Sequence, residues 1–376
     1  MKDKLISLFI PSFETGGVEN NVILYSKILI ENGYRVDVVY TRANDKKLQL
    51  INDEVNRVKI KPILNIPFVH PRVIDSLNII IGYYRYLQEN KKNIMVFSFQ
   101  NSIVSILLCN LIGVKVIARV ANHPNIINVD GTLMTKISNF LKNYIYRYAT
   151  LVITNSQITS KQIAMNTKAK TKTIYNPSFS NKIVEMSNEP IDDERFSNIK
   201  TKKIIAVGRL VNQKNFELLI RAFKVVLESI DAHLIIIGEG EKRDELIKLV
   251  EELNLINKVY LVGFQSNPHK YVKNSDLFVL SSLYEGLPNS LIEAIAVDTP
   301  AIATNCLSGP SEILLNGEGG DLVEVENLEQ LAKSIIKNLS DIEYAKAKQK
   351  IAYEHLYRFS YDEVKKDIVE LVKSYE

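Results

Sequence analysis

The chain has 376 residues, with 47 Lys and Arg against 43 Asp and Glu, two Cys, no Trp and 46% apolar residues. At about 100–200 residues per domain this length argues for two domains or three. The composition excludes a disordered chain, a collagen-like repeat and a disulfide scaffold.

The net charge of +4 is unevenly divided: residues 1–180 carry 23 basic and 11 acidic groups, and residues 181–376 carry 24 and 32. A basic first half, net +12, suggests an anionic partner such as phosphate, nucleic acid or a membrane surface. Cys109 and Cys306 sit in apolar runs without metal-ligand spacing and read as reduced core thiols of a cytosolic protein. The apolar stretch at the N-terminus is too short to span a membrane, and no small-residue cleavage site follows it. The region Ser102 to Val120 is interrupted by Asn110, Lys115 and Arg119, and reads as a buried helix running into a strand.

In chain order, LISLFI (5–10), RVDVVY (35–40), IMVFSF (94–99), VKVIARV (114–120) and TLVITNS (150–156) have the length and β-branched or aromatic content of buried parallel strands. Helical periods at Asn20–Asn32 and Pro71–Asn90 fall between them, the alternation of a doubly wound sheet. From Thr173 to Lys200 the period stops, with two prolines and four asparagines, as in a linker or domain boundary. It restarts with KIIAVGRL (203–210), HLIIIGEG (233–240), VYLVGF (259–264), LFVLSS (277–282) and PAIATN (300–305), with helices from about Asn215 and Lys242. Two doubly wound α/β sheets in tandem, with a hinge between them, is the economical architecture. The last 22 residues carry Val364, Ile368, Leu371 and Val372 at helix spacing, which does not decide the domain they pack on. The expected domains are 1–178 and 179–354, followed by a C-terminal helical segment at 355–376 that packs back towards the first.

Ligands of open α/β sheets bind beyond the carboxyl ends of the strands, so the strand-to-helix turns are the places to search. Gly16 and Gly17 follow the first strand and can present bare backbone N–H groups to an anion at a helix start. A complete phosphate loop is absent, and Gly238-Glu239-Gly240 lacks the third glycine of a dinucleotide fingerprint. Arg209 and Lys214, five apart at the end of KIIAV, pair a guanidinium fork with a point charge, a combination suited to a diphosphate. Glu285 and Glu293, eight apart around Gly-Leu-Pro-Asn, are bidentate acceptors suited to vicinal hydroxyls. Cations for a diphosphate in the same half as carboxylates for hydroxyls match a nucleotide-sugar, with Gly16–Gly17 approaching from the other half across an interdomain cleft.

Gly208-Arg209-Leu210, Gln213-Lys214-Asn215 and the run EGLPNSLIEA from Glu285 together resemble the signature of retaining glycosyltransferases of family GT4, glycosyl transferases group 1. The Gly-Gly turn, the ANHPN segment with His123 and GPSEIL at 309–314 are similar to that family too, and the likeness runs over nearly the whole chain. It implies a GT-B fold, two Rossmann-like domains facing a cleft. It also implies that Arg209 and Lys214 hold the donor diphosphate, that Glu293 binds the ribose, and that Glu285 contacts the transferred sugar. The amides of Gly286, Leu287, Pro288 and Asn289 (the proline offering only its carbonyl) would lie near sugar and phosphate, with Gly17 approaching from the other domain and His123 reaching the donor sugar. Retention in this family is usually explained by same-face attack, with the leaving phosphate taking the acceptor proton. No Asp-x-Asp triplet occurs, which fits a metal-independent, cofactor-free reaction and argues against the GT-A fold. The linker reads IYNPSF where many relatives carry a Pro-Asn-Gly-Val-type turn.

The implied donor is a UDP-sugar, carrying a hexose or N-acetylhexosamine, and the implied acceptor is a surface polysaccharide, lipopolysaccharide, capsule or lipid-linked glycan of a bacterial type. Segment 133–148 places Leu133, Ile137, Phe140, Leu141, Tyr144, Ile145 and Tyr148 on one helical stripe with Lys136, Lys142 and Arg147 off it. Such a helix either packs on a core or lies on the cytoplasmic face of the inner membrane. A UDP-sugar 2-epimerase-like enzyme on the same scaffold and a non-catalytic relative stay open as alternatives. Nucleic acid is disfavoured, because the basic residues form no aromatic-interleaved stripe.

Overall fold

The protein is described by a computed structural model over residues 4–14, 17–64, 70–100, 102–120 and 144–376. The chain divides into two compact units, Met1–Asn176 with Val364–Glu376, and Pro177–Glu363.

The first unit is built on seven parallel strands: β1 (Leu5–Phe9), β2 (Arg35–Tyr40), β3 (Asn56–Lys59), β4 (Ile94–Ser98), β5 (Lys115–Val120), β6 (Leu151–Thr154) and β7 (Thr171–Thr173). Their order across the sheet is β3-β2-β1-β4-β5-β6-β7. The inner strands β1, β4 and β6 are buried along their whole length, as their largely apolar runs demand. Helices α1 (Gly17–Glu31), α2 (Pro71–Asn90), α3 (Ser102–Ile112) and α4 (Gln157–Thr167) make the crossovers. The core joins Phe9, Val96 and Ala118 from the sheet to Tyr83, Leu87, Ile106 and Cys109 from the helices. The rings of Phe9 and Tyr83 stack at 3.8 Å.

The second unit repeats the plan with β8 (Lys202–Val207), β9 (Ala232–Ile237), β10 (Val259–Gly263), β11 (Leu277–Leu280), β12 (Ala301–Thr304) and β13 (Asp321–Val323). Their order is β10-β9-β8-β11-β12-β13, all parallel. Both units therefore follow the Rossmann order, in which winding reverses beside the first strand and leaves a crevice at the carboxyl ends. In the second unit that switch point lies between β8 and β11.

Helices of the second unit are α5 (Asn181–Ser187), α6 (Phe216–Val226), α7 (Arg243–Glu252), α8 (His269–Lys273), α9 (Asn289–Ala296), α10 (Leu328–Ser340) and α11 (Ile342–Glu354). Helix α6 buries Phe216, Leu219, Ile220, Phe223 and Val226 on one face, and α10 buries Leu331, Ile335 and Leu339 beside it. Both start on an asparagine whose side chain accepts a hydrogen bond from a first-turn N–H, Asn215 from Leu218 and Asn327 from Gln330.

Two features differ from the periodicity. The segment expected to be a linker holds α5 and a short helix at Glu194–Ser197, with Pro177 and Pro190 outside both. What fixes it is tertiary: Asn267 Nδ2 donates to Met186 O and to Glu189 Oε2, both at 2.8 Å, and Lys270 Nζ donates to Pro190 O at 2.7 Å. The short strands β3, β7 and β13 were not expected either, and each lies at a sheet edge.

The final helix α12 (Tyr361–Lys373) buries Val364, Ile368, Leu371 and Val372, the apolar stripe seen in the sequence. From Val364 onward it belongs to the first unit, where Lys172 pairs with Asp367 at 3.2 Å and Lys365 with Glu31 at 2.8 Å. Cys109 and Cys306 are free and buried, and burial pushes both thiols up to about 12. No helix among the described residues is long and apolar enough to cross a membrane.

Candidate active site

Of the residues singled out in the sequence, Gly16, His123 and the stripe over 133–143 lie outside the described residues. Gly17 is the first residue of α1, directly beyond β1 and the short Ser12–Phe13 strand. The remaining candidates all lie in the second unit, in the loops and the helix that follow the two strands flanking its switch point.

Strand β8 ends at Val207 and the chain turns through Gly208 and Arg209 into a tight 3-10 turn, Asn212–Lys214. Asn215 then takes a left-handed conformation, φ 46°, which reverses the chain into α6 while its side chain caps that helix. Such a φ suits asparagine better than most side chains. The turn aims Lys214 back across Gly208, where an added Cβ would stand 3.1 Å from Lys214 Cε. Arg209 is exposed, and its guanidinium forms no ion pair among the described residues.

Strand β11 ends at Leu280 and leads into the loop that carries Glu285. Glu285 is buried, and its Oε1 accepts from Lys214 Nζ and from Ser282 Oγ, each at 2.6 Å. The lysine and glutamate side chains are only 14% and 8% exposed. The two loops are tied together by three further bonds, Gln213 Nε2 to Tyr284 O, Leu283 N to Gln213 O and Ser281 Oγ to Lys214 O, and Thr304 Oγ1 at the end of β12 donates to Ser282 O. A buried ion pair is tolerated only with such support, since desolvation offsets much of the attraction. The result is one ammonium held rigidly at the switch point.

Pro288 closes the loop and α9 starts at Asn289 without a side-chain cap, leaving first-turn N–H groups directed to any ligand oxygen there. Asn289 itself is engaged, its Oδ1 accepting from Ser178 Oγ at 2.8 Å. Leu287 and Pro288 are buried and hold the loop down. Glycine at 309 allows a second loop to lie on it: its φ is +80°, and a Cβ would stand 2.4 Å from Gly286 O. Ser308 Oγ also donates to Gly286 O at 2.9 Å.

Glu293 sits in the second turn of α9 and takes a different partner from Glu285. Its Oε2 faces His269 Nδ1 at 3.9 Å, and burial pushes its carboxyl up to about 7 although 27% of the side chain reaches solvent. The eight-residue spacing therefore serves one carboxylate in a loop, neutralised by Lys214, and one on a helix in an apolar setting. His269 was missed in the sequence, where Asn-Pro-His after a strand gives only a turn signal.

Gly238 and Gly240 were weighed only as an incomplete dinucleotide fingerprint. Their structural use is close approach: a Cβ on Gly238, at φ +145°, would meet Gly208 O at 1.9 Å, and one on Gly240 would meet Leu210 O at 2.3 Å. The loop after β9 thus supports the backbone of the Arg209 turn. Gly238→Ala is expected to destabilise the protein by about 2 kcal/mol or more, from backbone strain plus the clash. Urea unfolding of the variant checks this, and a change below about 0.5 kcal/mol would contradict it.

The arrangement can hold an anion on Lys214, Arg209 and the α9 N-terminus, with a carboxyl group close by for hydroxyls. Residues 187–355 match the family model of glycosyl transferases group 1. An uncharacterised glycosyltransferase of Methanocaldococcus jannaschii is 41% identical over 223 residues, 57% of this chain and 55% of that protein, so the chain spans about half the length of this relative. Over 91% of this chain and 92% of the other, it is 29% identical to the N-acetylgalactosamine-N,N'-diacetylbacillosaminyl-diphospho-undecaprenol 4-alpha-N-acetylgalactosaminyltransferase of Campylobacter jejuni. HepE of Anabaena, solved in complex with UDP, superposes with a TM-score of 0.77 at 19% identity, covering 99% of this chain and 100% of that one, a likeness of fold. The second unit, over residues 187–355 and just under half of the chain, is thus similar to the group 1 glycosyl transferases, and the likeness to HepE extends over both units as one of fold.

Proposed function

We propose that the protein is a retaining transferase of the GT4 type that moves a hexose or N-acetylhexosamine from a UDP-sugar to a lipid-linked or polymeric surface glycan. The observation that carries this reading is the buried Lys214–Glu285 pair at the switch point, with exposed Arg209 on the same turn and Glu293 on the helix that follows. Rupture of the anomeric C–O bond leaves a nucleoside diphosphate. Arg209 and Lys214 offset its growing charge, and interactions that strengthen as charge develops are the ones that accelerate the step. Glu285 orients Lys214 and accepts from sugar hydroxyls on its second oxygen, and Glu293 holds the ribose. The uncapped start of α9 adds N–H groups to the phosphate or sugar. Gly16, Gly17 and His123 complete the site in this reading. The reaction runs without a metal or other cofactor, and nucleic acid is not a partner.

The acceptor class is supported by the Campylobacter relative, named for an acceptor on diphospho-undecaprenol, and the UDP donor by HepE, solved with UDP and with UDP-glucose. A lipid-linked acceptor places the enzyme at the cytoplasmic face of a membrane. The net +12 of residues 1–180 favours a peripheral attachment there.

Calorimetry with UDP, GDP and ADP in metal-free buffer tests the donor. UDP is expected to bind preferentially, and Arg209→Ala to weaken it at least about tenfold, the worth of one charge-assisted bond. Failure of all three nucleotides to bind overturns the reading.

A further inference from the structure

The inference concerns His269 and rests on the nucleotide-sugar reading of the same site. His269 opens α8, and its ring lies against α9 with the side chain 12% exposed. Its Nδ1 and Glu293 Oε2 face one another at 3.9 Å, and among the described residues neither group takes part in a hydrogen bond. No other basic group among them lies within 4 Å of that carboxylate.

The charges on the other elements packed against α9 are engaged or turned away. Lys270 and Lys273 hold Pro190 O and Asn188 Oδ1, Lys348 of α11 pairs with Asp321, and Lys214 is held by Glu285. Lys182 and Glu185 of α5 are exposed, as are Glu343, Lys346, Lys350 and Glu354 of α11, and half-buried Glu312 in the 310–313 turn carries the same sign of charge as Glu293. A titratable acid and a titratable base are thus left to each other where α8 packs on α9, beside the donor site. An unpaired buried carboxylate is costly, and so is an unpaired imidazolium, so burial favours the uncharged form of the empty pair, with the proton on the acid, which holds about half of the protein at pH 7.

We propose that His269 is a positioning residue for the donor ribose: when ribose hydroxyls reach Glu293, the proton on Glu293 Oε2 passes to His269 Nδ1. The O–H bond of the carboxyl breaks, an N–H bond forms on the ring, and no proton enters or leaves the protein. The carboxylate then meets the hydroxyls as an ionised acceptor, and the imidazolium fixes it from behind. Closing 3.9 Å to a hydrogen bond needs a shift of about 1 Å, within reach of a side-chain rotation. The directions of titration agree: burial raises the Glu293 carboxyl to about 7 and lowers His269 below its ordinary value.

The test counts protons. UDP binding is measured calorimetrically at pH 7 in phosphate and in Tris, whose ionisation enthalpies differ, for wild type, His269→Gln, Glu293→Gln and the double variant. In His269→Gln the proton has no internal acceptor, so UDP binding is expected to release about half a proton, the protonated fraction of a group near 7, whereas wild type keeps it and takes up what completes the imidazolium, a difference of at least about half a proton. In the Glu293→Gln background the His269 substitution is expected to make no difference, which removes any contribution from the phosphate of UDP. Equal proton counts in wild type and His269→Gln, with UDP bound in both, overturn the proposal and leave the nucleotide reading standing. Absence of UDP binding to wild type overturns both. A purely structural role for His269 would weaken binding without moving the count.

Discussion

Lys214→Ala is expected to lower turnover of the UDP-sugar about 10²–10³-fold, the effect of removing one preorganised donor to developing negative charge. It is also expected to cost about 3–5 kcal/mol of stability, because Glu285 would be left charged and buried. The two effects have different causes and separate in a second variant. Adding Glu285→Gln to Lys214→Ala removes the stranded charge while leaving an amide that still accepts from Ser282 Oγ. The double variant should therefore regain most of the lost stability and none of the turnover. Thermal unfolding and initial rates on purified protein decide it. Recovery of turnover in the double variant would mean that Lys214 serves only to neutralise Glu285, and the assigned role would fall.

That separation depends on what sequence spacing does and does not carry. Arg209 and Lys214 follow an apolar strand run, and the motif around Glu285 and Glu293 follows another, so their placement at strand ends was legible from pattern. The switch point between β8 and β11 was not, because strand order across a sheet leaves no mark on local periodicity. Nor was the Lys214–Glu285 pair, whose members are 71 residues apart.

The missed strands share a physical reason. Asn56–Lys59, Thr171–Thr173 and Asp321–Val323 are edge strands, bonded on one side only and covered less completely than the centre. Edge strands need no continuous apolar run and tend to carry charge, as Arg57, Lys59, Lys172 and Asp321 do here. The segment 173–200, read as a linker or domain boundary, does contain the division between the units at Asn176 and Pro177, but its helices were not legible. Those helices are too short for a period to register, and the chain after α5 is held by Asn267 and Lys270, about 80 residues on, which donate to Met186, Glu189 and Pro190.

Glu293→Gln is expected to strengthen the fold where it weakens the function. Burial is the cause of the raised carboxyl, near 7 against an ordinary 4.5, so the folded protein keeps a proton that the unfolded chain has lost between those values. Native stability from this group is therefore full below pH about 4.5 and falls as pH rises to about 7. A shift of that size corresponds to at most about 3 kcal/mol, and the solvent-exposed part of the side chain reduces it to about 1–2 kcal/mol. Glutamine imitates the protonated acid at every pH. The variant should unfold like wild type near pH 4.5 and be about 1–2 kcal/mol more stable at pH 8. UDP affinity at pH 7.5 should fall about tenfold, since an amide is a weaker acceptor for ribose hydroxyls than a carboxylate. Urea titrations across this pH range and calorimetry with UDP measure the two quantities independently. A variant less stable than wild type at pH 8 would place the carboxylate in a favourable ion pair after all, and unchanged affinity would remove Glu293 from the nucleotide. A gain in stability coupled to a loss in affinity is the signature of a group kept in an unfavourable setting for its ligand.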